Sequence, residues 1–104
     1  MAQFDVYDNP NPETKESVPY LLDVQSELLN HLATRVVVPL LAASAMGKPA
    51  IHLNPRFTIR RSAVVMSTAE LAGVSLHALG DKVTSLKERR EEIIAALDFL
   101  FTGF

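Results

Sequence analysis

Polar and apolar side chains alternate at the start of the chain. Gln3-Phe4-Asp5-Val6-Tyr7 puts Phe4 and Val6 on one face and Gln3, Asp5 and Tyr7 on the other, the period-two pattern of a half-buried strand. Residues 8–17 then bring turn formers, two prolines and no large apolar side chain, and read as a long mobile loop. Residues 20–26 and 35–40 are strand-like, the second rich in β-branched side chains and carrying Pro39 near its end. Residues 41–48 contain helix formers, but Gly47 and Pro49 stop any helix within about two turns, which leaves a loop of helical character. Arg60-Arg61 separates the runs 52–59 and 62–67 and predicts two strands joined by a basic turn. Residues 74–79 alternate once more and end at Gly80-Asp81.

The pattern changes at Ser85-Leu86-Lys87-Glu88, which has the form of a capping box: Ser85 would bond the N3 amide and Glu88 would reach back to the cap. A helix is predicted over about residues 86–101. Leu86, Ile93, Leu97, Leu100 and Phe104 recur at helical spacing, Ile94 and Phe101 widen the stripe, and this face is expected to pack on the sheet. Glu91, Ala95, Asp98 and Thr102 fall on another face. About six strands followed by one terminal helix predict an α+β domain with an antiparallel sheet, a single unit spanning residues 1–104.

Hydrophobic residues at 48% and charged residues at 21% are ordinary globular usage, far from the composition of disorder. Ten basic against twelve acidic side chains give a formal charge of −2, too balanced for a nucleic-acid or anionic-membrane binder by bulk charge. The absence of cysteine excludes a disulfide scaffold, a thiolate zinc site and a cysteine nucleophile. The longest uncharged run, residues 36–47, is interrupted by Pro39 and falls well short of the roughly 20 residues of a membrane span. The first residues carry no leader pattern, so a cytoplasmic location is expected.

Candidate chemistry is sparse. His31, His52 and His77 are 21 and 25 residues apart with no His-x-His pair, so no metal is expected. Arg56, Arg60 and Arg61 near His52 form the one basic cluster, a kit that suits RNA cleavage by acid–base and electrostatic catalysis, although arginines at strand ends more commonly pair with acids or face water. Glycines at 47, 73, 80 and 103 are too scattered for a phosphate loop or a dinucleotide fingerprint, and no cofactor is expected. Glu88, Glu91 and Glu92 suit the first turns of a helix, where the macrodipole favours negative charge. Arg89 and Arg90 run against it and point to a partner or a salt bridge outside the helix. Phe99, Leu100, Phe101 and Phe104 crowd three aromatics into six positions, too wide for one buried stripe, so part of this surface is expected to meet another chain.

Read in order, Gln3-Phe4-Asp5-Val6-Tyr7, Leu22-Asp23-Val24-Gln25-Ser26, Arg35-Val36-Val37-Val38-Pro39-Leu40 and Phe101-Thr102-Gly103-Phe104, with Met66-Ser67-Thr68 and Leu79-Gly80 between them, resemble the CcdB family of plasmid-addiction toxins over essentially the whole chain. The resemblance implies an SH3-like antiparallel sheet or barrel, a small extra sheet, one long C-terminal helix and a homodimer. It also implies a plasmid-maintenance toxin of a type II toxin–antitoxin system that is not an enzyme. Such a toxin binds the A subunit of DNA gyrase, traps the cleaved-DNA complex and is neutralised by the disordered tail of a CcdA-type antitoxin. Direct sequence readout of nucleic acid and a membrane partner are not expected.

Carried over by motif, the gyrase-facing positions are Gln3, Phe4, Tyr7, Ser26, Leu28, Leu29, Asp98, Phe101, Thr102, Gly103 and Phe104. Gln3, Phe4, Tyr7, Ser26, Phe101 and Gly103 keep the family residue. Thr102 stands where the family pattern has tryptophan, and Asp98 where it has asparagine. Antitoxin contacts are expected at Arg56, Arg60 and Arg61, an inference from the arginine cluster and not from the resemblance. The alternatives are a CcdB-fold binding protein with weak or retargeted toxicity, and a ribonuclease toxin that shares only the fold.

Overall fold

In the computed structural model, which describes residues 1–103, the strands are β1 (Asp5–Asp8), β2 (Tyr20–Asp23), β3 (Thr34–Ala42), β4 (Arg56–Ile59), β5 (Ser62–Met66), β6 (Ala72–Ser75) and β7 (Lys82–Ser85), followed by helix α1 (Arg90–Thr102). They hydrogen-bond in the order β4-β5-β3-β2-β1-β7, with β6 also alongside β3, and all pairs are antiparallel. The result is a curled SH3-like half-barrel with one C-terminal helix. The resemblance implies a small extra sheet; the described strands instead form one bonded sheet, from which β6 branches alongside β3.

Nine residues of β3 organise this topology. Residues 34–37 pair with β6 and residues 40–42 with β5, while residues 37–40 pair with β2 on the other side. Pro39 lies in the gap between the β6 and β5 ladders. Its carbonyl, on that side, accepts from Ser67 N–H at 2.9 Å, so its missing N–H falls where no ladder bond is required. The basic turn is as expected: Arg60 and Arg61 have φ of 50° and 67° and join β4 to β5 through Ile59 opposite Ser62, the two-residue geometry matched to strand twist.

Several boundaries differ from the sequence reading. β1 is buried on both faces: Phe4 and Val6 enter the apolar core while Asp5 and Tyr7 are buried on the opposite side. Residues 8–17 lack an apolar anchor but have a polar one. Asn9 is buried, and its Nδ2 donates to Thr14 Oγ1 and Val18 O at 2.9 and 2.8 Å. β4 begins only at Arg56, because Asn54 closes a turn through Ala50 N–H and donates to Met66 O, a side chain competing with the ladder. The alternating run from Val74 gives way after Ser75 to a 3-10 turn, Leu76–Ala78. β7, with Val83 as its one apolar residue, was not anticipated.

The helix also starts later than its apparent capping box. Ser85 Oγ accepts from Lys87 N–H at 3.2 Å, a 3-10 turn covers Lys87–Arg89, and Arg89 caps α1 with no side-chain cap bond. Arg89 answers its unfavourable dipole position within the helix, donating to both oxygens of Glu92 at 2.6 and 2.9 Å. It also reaches Arg56 O at 3.2 Å and lies 4.8 Å over the Phe57 ring. Ile93 and Ala96 are the buried positions of α1, with Ile94 and Leu97 packed partly against the core; Leu86 is buried but precedes the helix. Gly103, at φ 79°, ends it by donating to Phe99 O, a left-handed C-terminal stop. Phe104 lies outside the described residues.

Candidate functional site

β2 leaves the sheet after Asp23, and the chain must turn before returning as β3. Ser26 starts the turn: its Oγ accepts from Leu28 N–H at 3.2 Å and its carbonyl from Leu29 N–H at 3.0 Å, the local bonding that favours serine at a cap. Asn30 N–H donates to Glu27 O and Leu32 N–H to Leu29 O. The turn therefore displays leucines it cannot bury. Leu28 is 88% exposed, Leu29 43% and Leu32 40%, with Met1 and Leu76 also exposed. Asn30 Nδ2 donates to Met1 O and Leu76 N–H to Ala33 O, which brings those neighbours to the same end of the molecule. Adjacent exposed apolar side chains of this kind make this end the candidate interaction site.

Beneath the turn lies a buried polar cluster that the sequence reading missed. Arg35 is 1% exposed and Asp23 0%. Arg35 Nε and Nη2 donate to Asp23 Oδ2 at 2.9 and 2.6 Å, Nη1 to Asn30 Oδ1 at 2.5 Å, and Nη2 to Gln25 O at 3.4 Å. Gln25 N–H donates to Asp23 Oδ1. Tyr7 donates to Asp5 Oδ2 at 3.3 Å, and Lys82 lies 3.4 Å from Asp5 Oδ1. Burial raises the Asp23 carboxyl above its usual value despite the opposing hydrogen bond and charge of Arg35. Burial, then the negative charges of Asp5 and Asp23, push the Tyr7 phenol up to about 12. The available signal was Asp23-x-Gln25 followed by Arg35 inside a β-branched run, a charge where a strand interior should be apolar.

The carried-over positions divide into three groups. Gln3 is half-buried, with Nε2 donating to Val24 O, and it lines a hollow of about 430 Å³ with Phe4, Glu27, Lys87 and Arg90. Ser26, Leu28 and Leu29 form the adjacent exposed turn. Phe4 and Tyr7 are 3% and 6% exposed; Phe4 edges that hollow, and most of each side chain supports the face from beneath. Asp98, Phe101, Thr102 and Gly103 are exposed at the far end of α1, with Phe101 at 67%. Arg90 and Phe101 are eleven residue steps apart, about 16 Å of helix, and no described contact joins this group to the first. Thr102 donates to Asp98 O at 2.7 Å. Phe104 is outside the described residues.

The arginine cluster is divided too. Arg60 pairs with Asp8 at 3.3 Å and lies 5.8 Å over the Tyr20 ring; Arg61 is exposed beside it. Arg56 instead lines a groove of about 510 Å³ with Pro49, Ile51, Asn54, Arg89 and Glu92. His52 lies next to this groove, its ring 5.9 Å from that of Phe99, while His31 and His77 are exposed elsewhere. Among the described residues no group of three His, Cys, Asp or Glu could hold a metal ion, and no helix is long and apolar enough to cross a membrane.

Two solved structures share the architecture. One is an endoribonuclease in complex with its cognate antitoxin from Mycobacterial species, with TM-score 0.74 and 16% identity over 97% of this chain and 94% of that one. The other is an endoribonuclease from Mycobacterial species, with TM-score 0.68 and 16% identity over 97% and 90%. At that identity the likeness is one of fold. The family model described as CcdB protein matches residues 3–103, from the strand that opens the sheet to the glycine that ends α1, and on that match the chain belongs to the CcdB family of toxins.

Proposed function

We propose that this chain is the toxin of a type II toxin–antitoxin pair that docks on the A subunit of DNA gyrase as a homodimer, traps the cleaved-DNA complex without turning over a substrate, and is neutralised by a CcdA-type antitoxin. The family match over residues 3–103 supports the toxin assignment. The observation that carries docking is the turn at residues 26–32, where Leu28 stands 88% exposed above a fully bonded base. Leu29, Leu32, Met1 and Leu76 are exposed at the same end, and apolar side chains grouped on a fixed turn suit a partner's anchor. Phe101, 67% exposed at the end of α1, supplies a second apolar element that a dimer or a target would cover.

A ribonuclease reading has one observation in its favour: the two fold neighbours described above are endoribonucleases. Local chemistry weighs against it. Glu92, the carboxylate in the groove beside His52, is held by two hydrogen bonds from Arg89. Those bonds, partly opposed by desolvation, lower its pKa from the ordinary glutamate value, and they occupy both oxygens that a proton acceptor would use.

The two readings separate in parallel assays of the purified protein: accumulation of gyrase–DNA cleavage complexes, and degradation of a mixed RNA substrate. Cleavage complexes with intact RNA are the expected result. RNA degradation without an effect on gyrase would reverse the assignment. Light scattering at micromolar concentration should report a dimer.

A further inference from the structure

The exposed turn at residues 26–32 is a short segment with no buried side chain of its own among Glu27, Leu28 and Leu29. Such segments ordinarily sample many conformations. Here the buried layer beneath it makes bonds upward. As β2 departs, Val24 N–H is the last to find a β3 carbonyl, that of Val36, at 3.0 Å. The next ladder position is filled by a side chain, because Gln25 Oε1 accepts from Val36 N–H at 2.9 Å. The other half of the same amide, Nε2, donates to Leu29 O at 3.0 Å. One side chain therefore ties the turn to the central strand. Arg35, rising from β3, makes the second tie through Nη1 to Asn30 Oδ1, and Asn30 Nδ2 extends it to Met1 O.

We propose that Gln25, Asn30 and Arg35 are positioning residues for partner binding: together with Asp23 they form a hydrogen-bonded frame that holds Leu28 and Leu29 in the arrangement the target reads. This inference rests on the docking role given above to the same turn. The frame need not touch the partner. It raises the fraction of molecules in which the turn is competent, and apparent affinity scales with that fraction. Arg35 suits the task because its planar fork serves an acid, an amide and a carbonyl in one fixed geometry.

Asn30 is the point at which the frame can be opened without emptying the core, since it is itself exposed. Asn30→Ala removes the Arg35 acceptor and the Met1 tie but leaves Asp23 with Arg35. Asn30→Asp restores the acceptor alone. Leu28→Ala removes contact area and leaves the frame intact. Three measurements apply to each variant: the urea midpoint, amide exchange at Leu29 and Leu32, and affinity for the A subunit of gyrase. Asn30→Ala should keep a near-native midpoint, speed exchange at both amides at least tenfold and weaken binding about tenfold, while Asn30→Asp recovers most of each loss. A purely structural role would shift the midpoint without this selective pattern. Unchanged exchange in Asn30→Ala overturns the frame whatever happens to binding. Faster exchange with unchanged affinity, where Leu28→Ala does weaken binding, overturns the positioning role and leaves the docking reading standing. If Leu28→Ala leaves gyrase affinity unchanged, the docking reading fails and the positioning role falls with it.

Discussion

Replacing Arg35 by methionine keeps most of the side chain's length and apolar stem while removing the one cation in contact with Asp23. Both groups are essentially inaccessible, at 1% and 0% exposure, so water cannot take the arginine's place. Removing one partner of a buried pair leaves an uncompensated charge and costs about 3–5 kcal/mol. Against a total stability of roughly 5–15 kcal/mol, that loss leaves the variant folded but marginal. At an m-value of about 2 kcal/mol/M, the urea midpoint should fall by about 2 M.

Adding Asp23→Leu should recover at least about 1 kcal/mol, because the stranded carboxylate disappears, although Gln25 N–H then loses its acceptor at about 1–3 kcal/mol. The penalty in Arg35→Met should also depend on pH. Burial already raises the Asp23 pKa above its unfolded value, so the native state binds that proton more tightly than the unfolded state does. The associated stability is fully present below the unfolded pKa and is lost as pH rises through the folded one. The loss in Arg35→Met should therefore be smaller near pH 4 than at pH 7. A cost below about 1 kcal/mol at pH 7, or a double variant no better than the sum of the singles, would refute the account of a charge held by its partner.

Gly80→Ala should cost about 1–3 kcal/mol in thermal unfolding, since a Cβ there would stand 2.8 Å from the Asp8 carbonyl oxygen that Gly80 N–H bonds; an unaltered melting temperature would refute the close approach. Wild-type stability should fall as pH rises from about 10 towards 12, because Tyr7 keeps its phenolic proton up to about 12 in the fold, and Tyr7→Phe should remove this decline in alkaline unfolding curves. Thr102→Trp, at an exposed position, should leave the melting temperature unchanged and strengthen gyrase binding by about 2 kcal/mol, roughly thirtyfold. Asp98→Asn should add to that effect by removing a carboxylate that a partner would desolvate; equal cleavage-complex yield from parent and double variant would argue against a missing anchor. Charge reversal of Arg56, Arg60 and Arg61 together should weaken antitoxin binding by at least tenfold in titration calorimetry, and unchanged affinity would remove these arginines from that interface.

Local patterns determined much of this protein. The β-branched run around Val36 to Val38 read as a sheet interior, Arg60-Arg61 between two apolar runs made a hairpin, and the Ile93, Ile94 and Leu97 region made a helix with one buried face, because each signal lies within a few residues of its effect. The family was legible as well, since its motifs keep their order and spacing along the chain.

Tertiary structure decided what depends on residues far apart. β7 has one apolar side chain and exists because β1 offers it an edge. The Ser85 capping box yielded to a 3-10 turn whose chain is already bound to the sheet by Leu86 N–H to Phe4 O. Asp5 and Tyr7 are in the interior because β1 is covered on both faces, whereas alternation alone buries only the face of Phe4 and Val6. The frame beneath Leu28 unites Asp23, Gln25, Asn30 and Arg35 only when β2 and β3 pair. A charged residue in a strand does not name its partner, and burial, which makes that partner indispensable, is a property of the assembled sheet.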